Sequence, residues 1–217
     1  MSSSRLTWSA ALLSWIIAVP LWYVSRYVLV IAHEGGHALL AKLLFRKLAS
    51  ITFNRSGGGA TAPKPPVPLL FNVFIGLGGY LGPSIFGLFG AWMLLDGRSE
   101  TVLWASLGFL VVMLLAVRGV MGFLLVPALF VIIYLLLTKV GQPQQTLFTH
   151  MWVWFLLIGS VQRMLLFVQD KQYDDTGTDP MILQGMTSVP SAIWTFLMLV
   201  GSIAALVYGG ALLLRQG

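Results

Sequence analysis

Cysteine is absent from this chain of 217 residues, so the sequence contains neither a disulfide framework nor a thiolate ligand for a metal ion. Charged residues are also scarce: 9% of the chain is Asp, Glu, Lys or Arg, whereas an ordinary soluble domain has roughly 25%. Any metal site must therefore use His, Asp or Glu. A soluble enzyme is excluded, because a water-soluble fold of this size cannot keep so much apolar side chain away from its surface.

Apolar residues make up 58% of the chain, and the mean hydropathy is +0.87. This composition also excludes disorder, which requires low hydrophobicity. We predict an all-α polytopic membrane protein, a single integral-membrane domain over residues 1–217 with six to seven transmembrane helices. The net charge of +6 comes from basic residues scattered singly between apolar runs. Such residues set membrane topology and contact the lipid bilayer, so we expect no nucleic-acid partner.

The first apolar run covers residues 8–45. As one helix it would be about 57 Å long, whereas the hydrocarbon core of a bilayer is about 30 Å thick. We therefore predict two spans joined by a tight turn near residues 23–26. The other apolar runs are residues 69–95, 101–116, 122–138, 148–168 and 190–214. In the first of these, Gly78 and Gly82 have the GxxxG spacing that lets helices approach closely.

Two polar connections separate these spans. Within residues 46–68 we predict a short strand at residues 51–54, followed by a glycine turn at residues 57–59. Residues 170–189 hold four of the seven acidic residues. With both connections in the cytoplasm, seven basic residues lie on that side: Arg5, Arg46, Lys47, Arg55, Lys64, Arg118 and Lys171. Four lie opposite: Arg26, Arg98, Lys139 and Arg215. This bias predicts a cytoplasmic N-terminus and cytoplasmic polar connections.

The second predicted span contains His33-Glu34-Gly35-Gly36-His37, an HExxH motif. Residues four apart on a helix share one face, so the two imidazoles can hold one metal ion. Glu34 lies beside that face, where it can take a proton from water at the metal. Each ionisable residue inside a membrane costs about 2.5–3.5 kcal/mol even on a lenient scale. A shared metal explains three of them within five positions; the alternative is a metal-free polar network between helices.

A catalytic zinc site usually has three protein ligands. The histidine outside the motif is His150, which we place at the opposite membrane face as an interfacial residue. The acidic segment is the better source of a ligand, because it lies on the side where the helix carrying His37 ends. For Asp179 a second role is open, since Asp followed by Pro180 is a good start for a short helix.

Four segments, in order along the chain, resemble the site-2 protease family of intramembrane zinc metallopeptidases, in particular its small bacterial-type branch. The family's active-site helix is similar to HEGGHALLAKLLF, and the strand and glycine turn after it to ITFNRSGGGAT. The following span is similar to GLGGYLGPSIFGLFGAWML. The segment in which a Ser/Thr-Asp pair supplies the third ligand is similar to TDPMILQGMTSVPSAIWTFL.

The resemblance implies zinc bound by His33, His37 and Asp179, with Glu34 as general base and acid. Two departures stand out. The Asn-Pro-x-x-Asp-Gly motif of other members is missing, and Asp179 is followed by Pro where the branch more often has Ala. The alternative third ligands are therefore Asp175 and Asp174. Candidates for stabilising the oxyanion are Asn72 and the main-chain amides of residues 57–59.

The implied activity is hydrolysis of peptide bonds in a membrane-embedded protein or peptide near the cytoplasmic face. We expect the strand at residues 51–54 to pair with unwound substrate by β-augmentation. The first alternative is a non-catalytic metal-binding membrane scaffold, against which the intact Glu34 argues. The second is a metal transporter, against which the scarcity of ionisable residues in the other spans argues.

Overall fold

The computed structural model describes residues 3–63 and 66–215; Lys64, counted above, lies outside them. Eight α-helices dominate the described part of the chain. They are α1 (Ser3–Ala18), α2 (Trp22–Leu43), α3 (Leu69–Leu95), α4 (Ser99–Ala116), α5 (Val120–Lys139), α6 (Gln142–Gln169), α7 (Asp179–Thr187) and α8 (Ser191–Leu214). The strands are β1 (Leu48–Phe53), β2 (Gly59–Pro63) and β3 (Val117–Arg118), and a 3-10 turn covers Gln172–Asp174. The predicted all-α polytopic membrane protein is confirmed.

Five of these helices, α3, α4, α5, α6 and α8, are long and apolar enough to cross a membrane. Helices α1 and α2 form a pair bent by 100°, which brings the number of candidate spans to six if the pair is one span. The prediction of two spans with a turn near residues 23–26 placed the break too late. The helix breaks at residues 19–21 because Pro20 has no N–H to continue the helical hydrogen bonds and its ring clashes with the preceding turn.

Helix α3 crosses α2 at a contact made of glycines. A Cβ on Gly36 would collide with the carbonyl oxygen of Gly78, and a Cβ on Gly82 would lie 3.0 Å from the carbonyl oxygen of Ala32. The GxxxG spacing of Gly78 and Gly82 therefore lets the two backbones touch. This close approach presses the histidine face of α2 against α3.

The three strands form one sheet in the order β2-β1-β3. Strands β1 and β2 are antiparallel and joined by a tight turn, in which Asn54 Oδ1 accepts a 2.7 Å hydrogen bond from the amide of Gly58. Gly57 in this turn has φ +80°, a left-handed conformation that favours glycine. Strand β3 pairs with β1 in parallel through Ile51↔Val117 and Thr52↔Arg118. The predicted strand and glycine turn are confirmed, and β1 is the central strand with both edges paired.

The β1–β2 hairpin folds back along α2 and does not project from its end. The Tyr27 hydroxyl donates a 2.7 Å hydrogen bond to the carbonyl oxygen of Arg55, and a Cβ on Gly57 would lie 2.7 Å from Nε of Arg26. The turn therefore reaches the beginning of α2. Arg55 therefore lies near the beginning of α2, whereas Arg46 follows its end. The sequence-based count of basic residues placed both on one side of the membrane because it took residues 46–68 as a simple loop.

Helix α1 packs along α6 in the same direction. The Ser14 hydroxyl donates a 2.8 Å hydrogen bond to the carbonyl oxygen of Met151, and four residues further on Ala18 shares a buried cluster with Phe155. The beginning of α1 therefore lies at the Gln142 end of α6, away from the connection between α6 and α7. This packing favours one broken span over the two spans of the sequence-based topology.

Candidate metal centre

His33 and His37 lie one turn apart on the buried face of α2. Their rings meet edge to face, with centroids 4.8 Å apart. Nδ1 of His37 is 2.6 Å from the carbonyl oxygen of Ile75 on α3. Because a carbonyl only accepts hydrogen bonds, Nδ1 carries a proton, and Nε2 is the nitrogen directed into the site. Gly79 makes room for both rings: a Cβ there would collide with His37 Nε2 and lie 2.7 Å from His33 Cε1.

Asp179 is the first residue of α7, and its carboxylate faces the two histidines. Oδ2 of Asp179 lies 3.3 Å from His33 Nε2 and 3.1 Å from His37 Nε2. Thr178 is the N-cap residue of α7, and its hydroxyl donates to the carbonyl oxygen of Asp175. The carboxylate of Asp179 is therefore directed into the site and does not cap the helix. Helix α7 is held in place by Leu183, which is fully buried.

The charge state of Asp179 suits a cation. Burial by itself would raise its pKa, but the neighbouring imidazoles, His37 foremost, hold the pKa of this carboxyl below its ordinary value. Asp179 is therefore a carboxylate at neutral pH. An anionic oxygen that faces one nitrogen of each of two imidazoles is a donor combination suited to a divalent cation.

Among the described residues, His33, His37 and Asp179 form the one group of His, Cys, Asp or Glu placed to hold a metal ion, with ligand atoms within 4.8 Å of one another. Tetrahedral ligands at 2.0–2.1 Å from zinc lie about 3.3 Å apart. The distances from Asp179 Oδ2 to the two Nε2 atoms match this spacing. Two imidazoles and one carboxylate are also a donor set of catalytic zinc, which keeps a fourth position open. The residues present therefore fit a zinc ion.

Glu34 lies in the same site without joining the ligand group. Its side chain is 2% exposed, and its Oε2 accepts a 2.7 Å hydrogen bond from the Thr61 hydroxyl on β2. Its other oxygen, Oε1, is 3.9 Å from His33 Nε2. The backbone of β2 runs directly over this carboxylate, since a Cβ on Gly59 would lie 2.6 Å from Oε1. Glu34 is thus held beside the candidate metal position with one oxygen free of Thr61.

These residues line a cavity of about 340 Å³, together with two side chains to which the sequence assigned no role, Tyr80 and Arg163. The ring of Tyr80 packs edge to face on His33 with centroids 4.6 Å apart. Cζ of Arg163 lies 5.4 Å from the centroid of the Tyr80 ring. The signal for Arg163 was present in the sequence, because an ionisable residue within an apolar span is rarely without a function.

The alternative ligands lie elsewhere. Asp174 and Asp175 are exposed in the connection between α6 and α7 and do not join the candidate metal group.

His150 is buried within α6, where Nδ1 is 2.9 Å from the carbonyl oxygen of Thr146. It lies about 12 Å from the first residue of α6 at 1.5 Å per residue, and its interfacial position stays a prediction.

The two predicted sources of an oxyanion donor are both engaged in other hydrogen bonds. Asn72 lines the cavity, but its Nδ2 donates to the carbonyl oxygen of Val67 at 3.2 Å. In the glycine turn, the amides of Gly57 and Gly58 both donate to Asn54, at 3.3 Å and 2.7 Å. Gly59, the third residue of that turn, belongs to β2 and lies against the Glu34 carboxylate.

Fold and site together define an integral membrane protein with a metallopeptidase-type arrangement of His, Glu, His and Asp. The chain belongs to the peptidase M50B-like family, whose model matches residues 6–209. This membership confirms the resemblance to the site-2 protease family and places the chain among its membrane metallopeptidases, which are zinc-dependent in general. No curated protein and no solved structure matches the chain.

Proposed function

We propose that this protein is an intramembrane zinc metalloendopeptidase that hydrolyses peptide bonds of membrane-embedded substrates near the cytoplasmic face. One observation carries the proposal: two imidazoles and a carboxylate converge, while a second buried carboxylate, Glu34, lies beside them in the same cavity. A scaffold that kept a metal only for structure would have no use for Glu34. Membership of the peptidase M50B-like family supports the same activity.

His33, His37 and Asp179 would hold the zinc ion. When bound, zinc polarises the scissile carbonyl and lowers the pKa of water, so that hydroxide is available at neutral pH. Glu34 takes the proton from the attacking water as the water oxygen bonds to the carbonyl carbon. The same carboxyl then gives this proton to the amide nitrogen while the C–N bond breaks, which releases a neutral amine. The hydrogen bond from Thr61 fixes one Glu34 oxygen and orients the other for these transfers.

The strand that would bind substrate is β2. The predicted strand, β1, is the central strand: β2 pairs along one of its edges and β3 pairs with Ile51 and Thr52 on the other, so β1 offers few main-chain groups to a substrate. Strand β2 is an edge strand of the sheet, and its residues Gly59, Ala60 and Thr61 line the catalytic cavity, which no residue of β3 does. An unwound segment of a substrate helix needs partners for its backbone N–H and C=O groups inside the membrane. The edge of β2 offers such partners beside Glu34.

Cleavage assays on the protein in lipid nanodiscs test this function. The probe is a set of synthetic single-span peptides with Leu- and Ala-rich membrane segments interrupted by Gly-Pro, and mass spectrometry identifies the bond that is cut. Glu34→Ala should lower the rate by about 10²–10⁴, the contribution of a general base. Glu100→Ala removes the chain's other glutamate, which lies in the first turn of α4, and should leave the rate unchanged. Equal rates for Glu34→Ala and the unaltered protein would contradict the proposal.

A further inference from the structure

We infer that Arg163 is a catalytic residue whose guanidinium binds the oxygen of the scissile carbonyl when that oxygen becomes negatively charged. This inference rests on the proposed peptidase function and assigns the donor for which the sequence offered only Asn72 and the glycine turn.

Arg163 lies at the depth of the catalytic residues. It is six residues before the end of α6 at Gln169, and His37 is six residues before the end of α2 at Leu43. Both are thus about 9 Å inside their helices at 1.5 Å per residue. Among the described residues lining the catalytic cavity, Arg163 is the one with a permanent positive charge. A charge at this depth needs a partner or a function.

Arg163 forms no ion pair with a carboxylate among the described residues. Among the described residues, the ion pair of an arginine with a carboxylate joins Arg98 to Asp96 at the protein surface. Arg163 instead rests against the ring of Tyr80. Arg163 also interacts with the Tyr80 side chain through a hydrogen bond, but a guanidinium has five N–H donors, so donors remain available for another acceptor. The cavity therefore contains a positive charge that forms no ion pair with the carboxylates of Glu34 and Asp179, although both line the same cavity.

Tyr80 fixes the direction of this charge. Its ring packs on His33 with centroids 4.6 Å apart and on Phe167 with centroids 4.9 Å apart. The guanidinium stacked on this ring is thereby held next to the imidazole that faces Asp179. The positive charge is therefore in place before substrate enters, which is the condition under which electrostatic stabilisation is most effective.

The peptidase reaction generates the anion that Arg163 would bind. When the water oxygen bonds to the carbonyl carbon, the carbonyl π electrons move onto the carbonyl oxygen. They return when the C–N bond breaks and Glu34 protonates the departing nitrogen. A guanidinium binds the charged oxygen of the intermediate more strongly than the neutral carbonyl of the substrate. Arg163 would thus lower the barrier and contribute little to substrate affinity.

Kinetics on the peptide cut in the nanodisc assay, with zinc analysis of each variant, test the inference. Arg163→Gln should lower kcat by about 10²–10³, the effect of removing one oxyanion donor, with KM changed by less than about threefold. Zinc content should stay at that of the unaltered protein. Arg163→Lys retains the positive charge but lacks the planar guanidinium with its paired N–H donors. Its kcat should therefore lie between that of Arg163→Gln and that of the unaltered protein. The matched control is Arg98→Gln, which removes an exposed arginine and should have no effect.

A binding measurement gives a readout that is independent of turnover. The probe is the same peptide with a phosphonamidate, a tetrahedral anionic group, in place of the scissile amide. Arg163→Gln should weaken binding of the phosphonamidate by about 10²-fold or more, because this probe carries the charge of the intermediate. Binding of the uncleaved amide peptide to the zinc-free protein should not change, because its carbonyl is neutral.

The outcomes separate this inference from the proposed function. If the unaltered protein cleaves and Glu34→Ala does not, while Arg163→Gln matches the unaltered protein in kcat and phosphonamidate affinity, only the Arg163 inference fails. A change confined to KM, or loss of zinc in both Arg163→Gln and Arg163→Lys, would also overturn it and assign Arg163 a binding or structural role. If the unaltered protein cleaves no faster than Glu34→Ala, the peptidase function fails and this inference fails with it.

Discussion

Individual side chains of the site depend on partners from other parts of the chain, and Glu34 is the clearest case. Its buried carboxylate has one side-chain hydrogen bond, donated by Thr61 at 2.7 Å. A hydrogen bond to a charged group contributes about 1.5–3 kcal/mol. Loss of this bond would leave the carboxylate oxygen without a donor and free to turn away from the attacking water.

We therefore expect Thr61→Val to lower kcat by about 10-fold or more, whereas Thr61→Ser should keep most of the activity because it retains the hydroxyl. Thr52→Val is the matched control: Thr52 lies on the neighbouring strand, and its hydroxyl makes a longer, exposed contact of 3.4 Å to the carbonyl oxygen of Ala60. The measurement is the initial cleavage rate in nanodiscs. Equal rates for Thr61→Val and Thr52→Val would show that Thr61 does not orient Glu34.

Gly79 provides the space in which both histidines lie. We expect Gly79→Ala to displace the rings, since its Cβ would meet His37 Nε2 and His33 Cε1, and so to lower both bound zinc and cleavage. Gly108→Ala, in the neighbouring span α4, has nothing within 4 Å of its Cβ. It should keep zinc and activity and can gain up to about 1 kcal/mol of helix stability. Full zinc content in Gly79→Ala would contradict the geometry of the site.

The residues of the site differ in how far the sequence could predict them. His33, Glu34 and His37 are neighbours on one helix, so helical periodicity alone places them together. Asp179 stayed ambiguous because its position depends on how α7 folds back beneath α2 and α3. Tyr80 and Arg163 were missed as a pair because they lie on different helices, and only packing brings the guanidinium over the ring.

Among the secondary-structure elements, β1 and the glycine turn were predicted because both follow from local signals: β-branched residues and consecutive glycines. Strand β3 was not predicted, because two residues between apolar helices carry no periodicity. Its pairing with β1 changes the functional interpretation, since it makes β1 the central strand and leaves β2 as the edge strand that lines the cavity of the site.

The free edge of β2 predicts an ordered contact with substrate. Because the chain has no cysteine, single cysteines introduced by mutation can be cross-linked without interference. In a Glu34→Gln background, Ala62→Cys on exposed β2 should form disulfides with cysteines at alternate positions of the peptide near its cleavage site. Thr52→Cys, exposed on the central strand β1, serves as the control and should form few. Equal yields from both positions, or yields without alternation, would exclude strand pairing at β2.

For the protein as a whole, the membrane topology depends on whether α1 and α2 form one span or two. This number decides whether the N-terminus lies on the same membrane face as the connection between α6 and α7. We expect α1 and α2 to form one broken span, because α1 packs along α6 with its beginning at the Gln142 end; the N-terminus would then lie opposite the connection between α6 and α7. Composition could predict the number of apolar runs. It could not predict this arrangement, because a helix broken at Pro20 and a tight hairpin have similar hydropathy.

Accessibility of single cysteines to a membrane-impermeant maleimide tests this topology. Ser4→Cys and Gln142→Cys should react in intact cells, whereas Thr176→Cys should react only after the membrane is permeabilised; all three positions are exposed. If Ser4→Cys and Thr176→Cys both react in intact cells, or both react only after permeabilisation, the single broken span is contradicted. Labelling of Thr176→Cys in intact cells would contradict a cytoplasmic active site.

Elemental analysis of the zinc content of the purified protein is the decisive test of the proposed metal centre. The comparison is between the unaltered protein and the variants His37→Ala, Asp179→Ala and Glu34→Ala. We predict about one zinc ion per chain in the unaltered protein and in Glu34→Ala, with clear loss in the other two, because His37 and Asp179 belong to the ligand group and Glu34 does not. Full zinc in Asp179→Ala would remove Asp179 from the ligand set. An unaltered protein that binds no zinc even after reconstitution would contradict the metallopeptidase function itself.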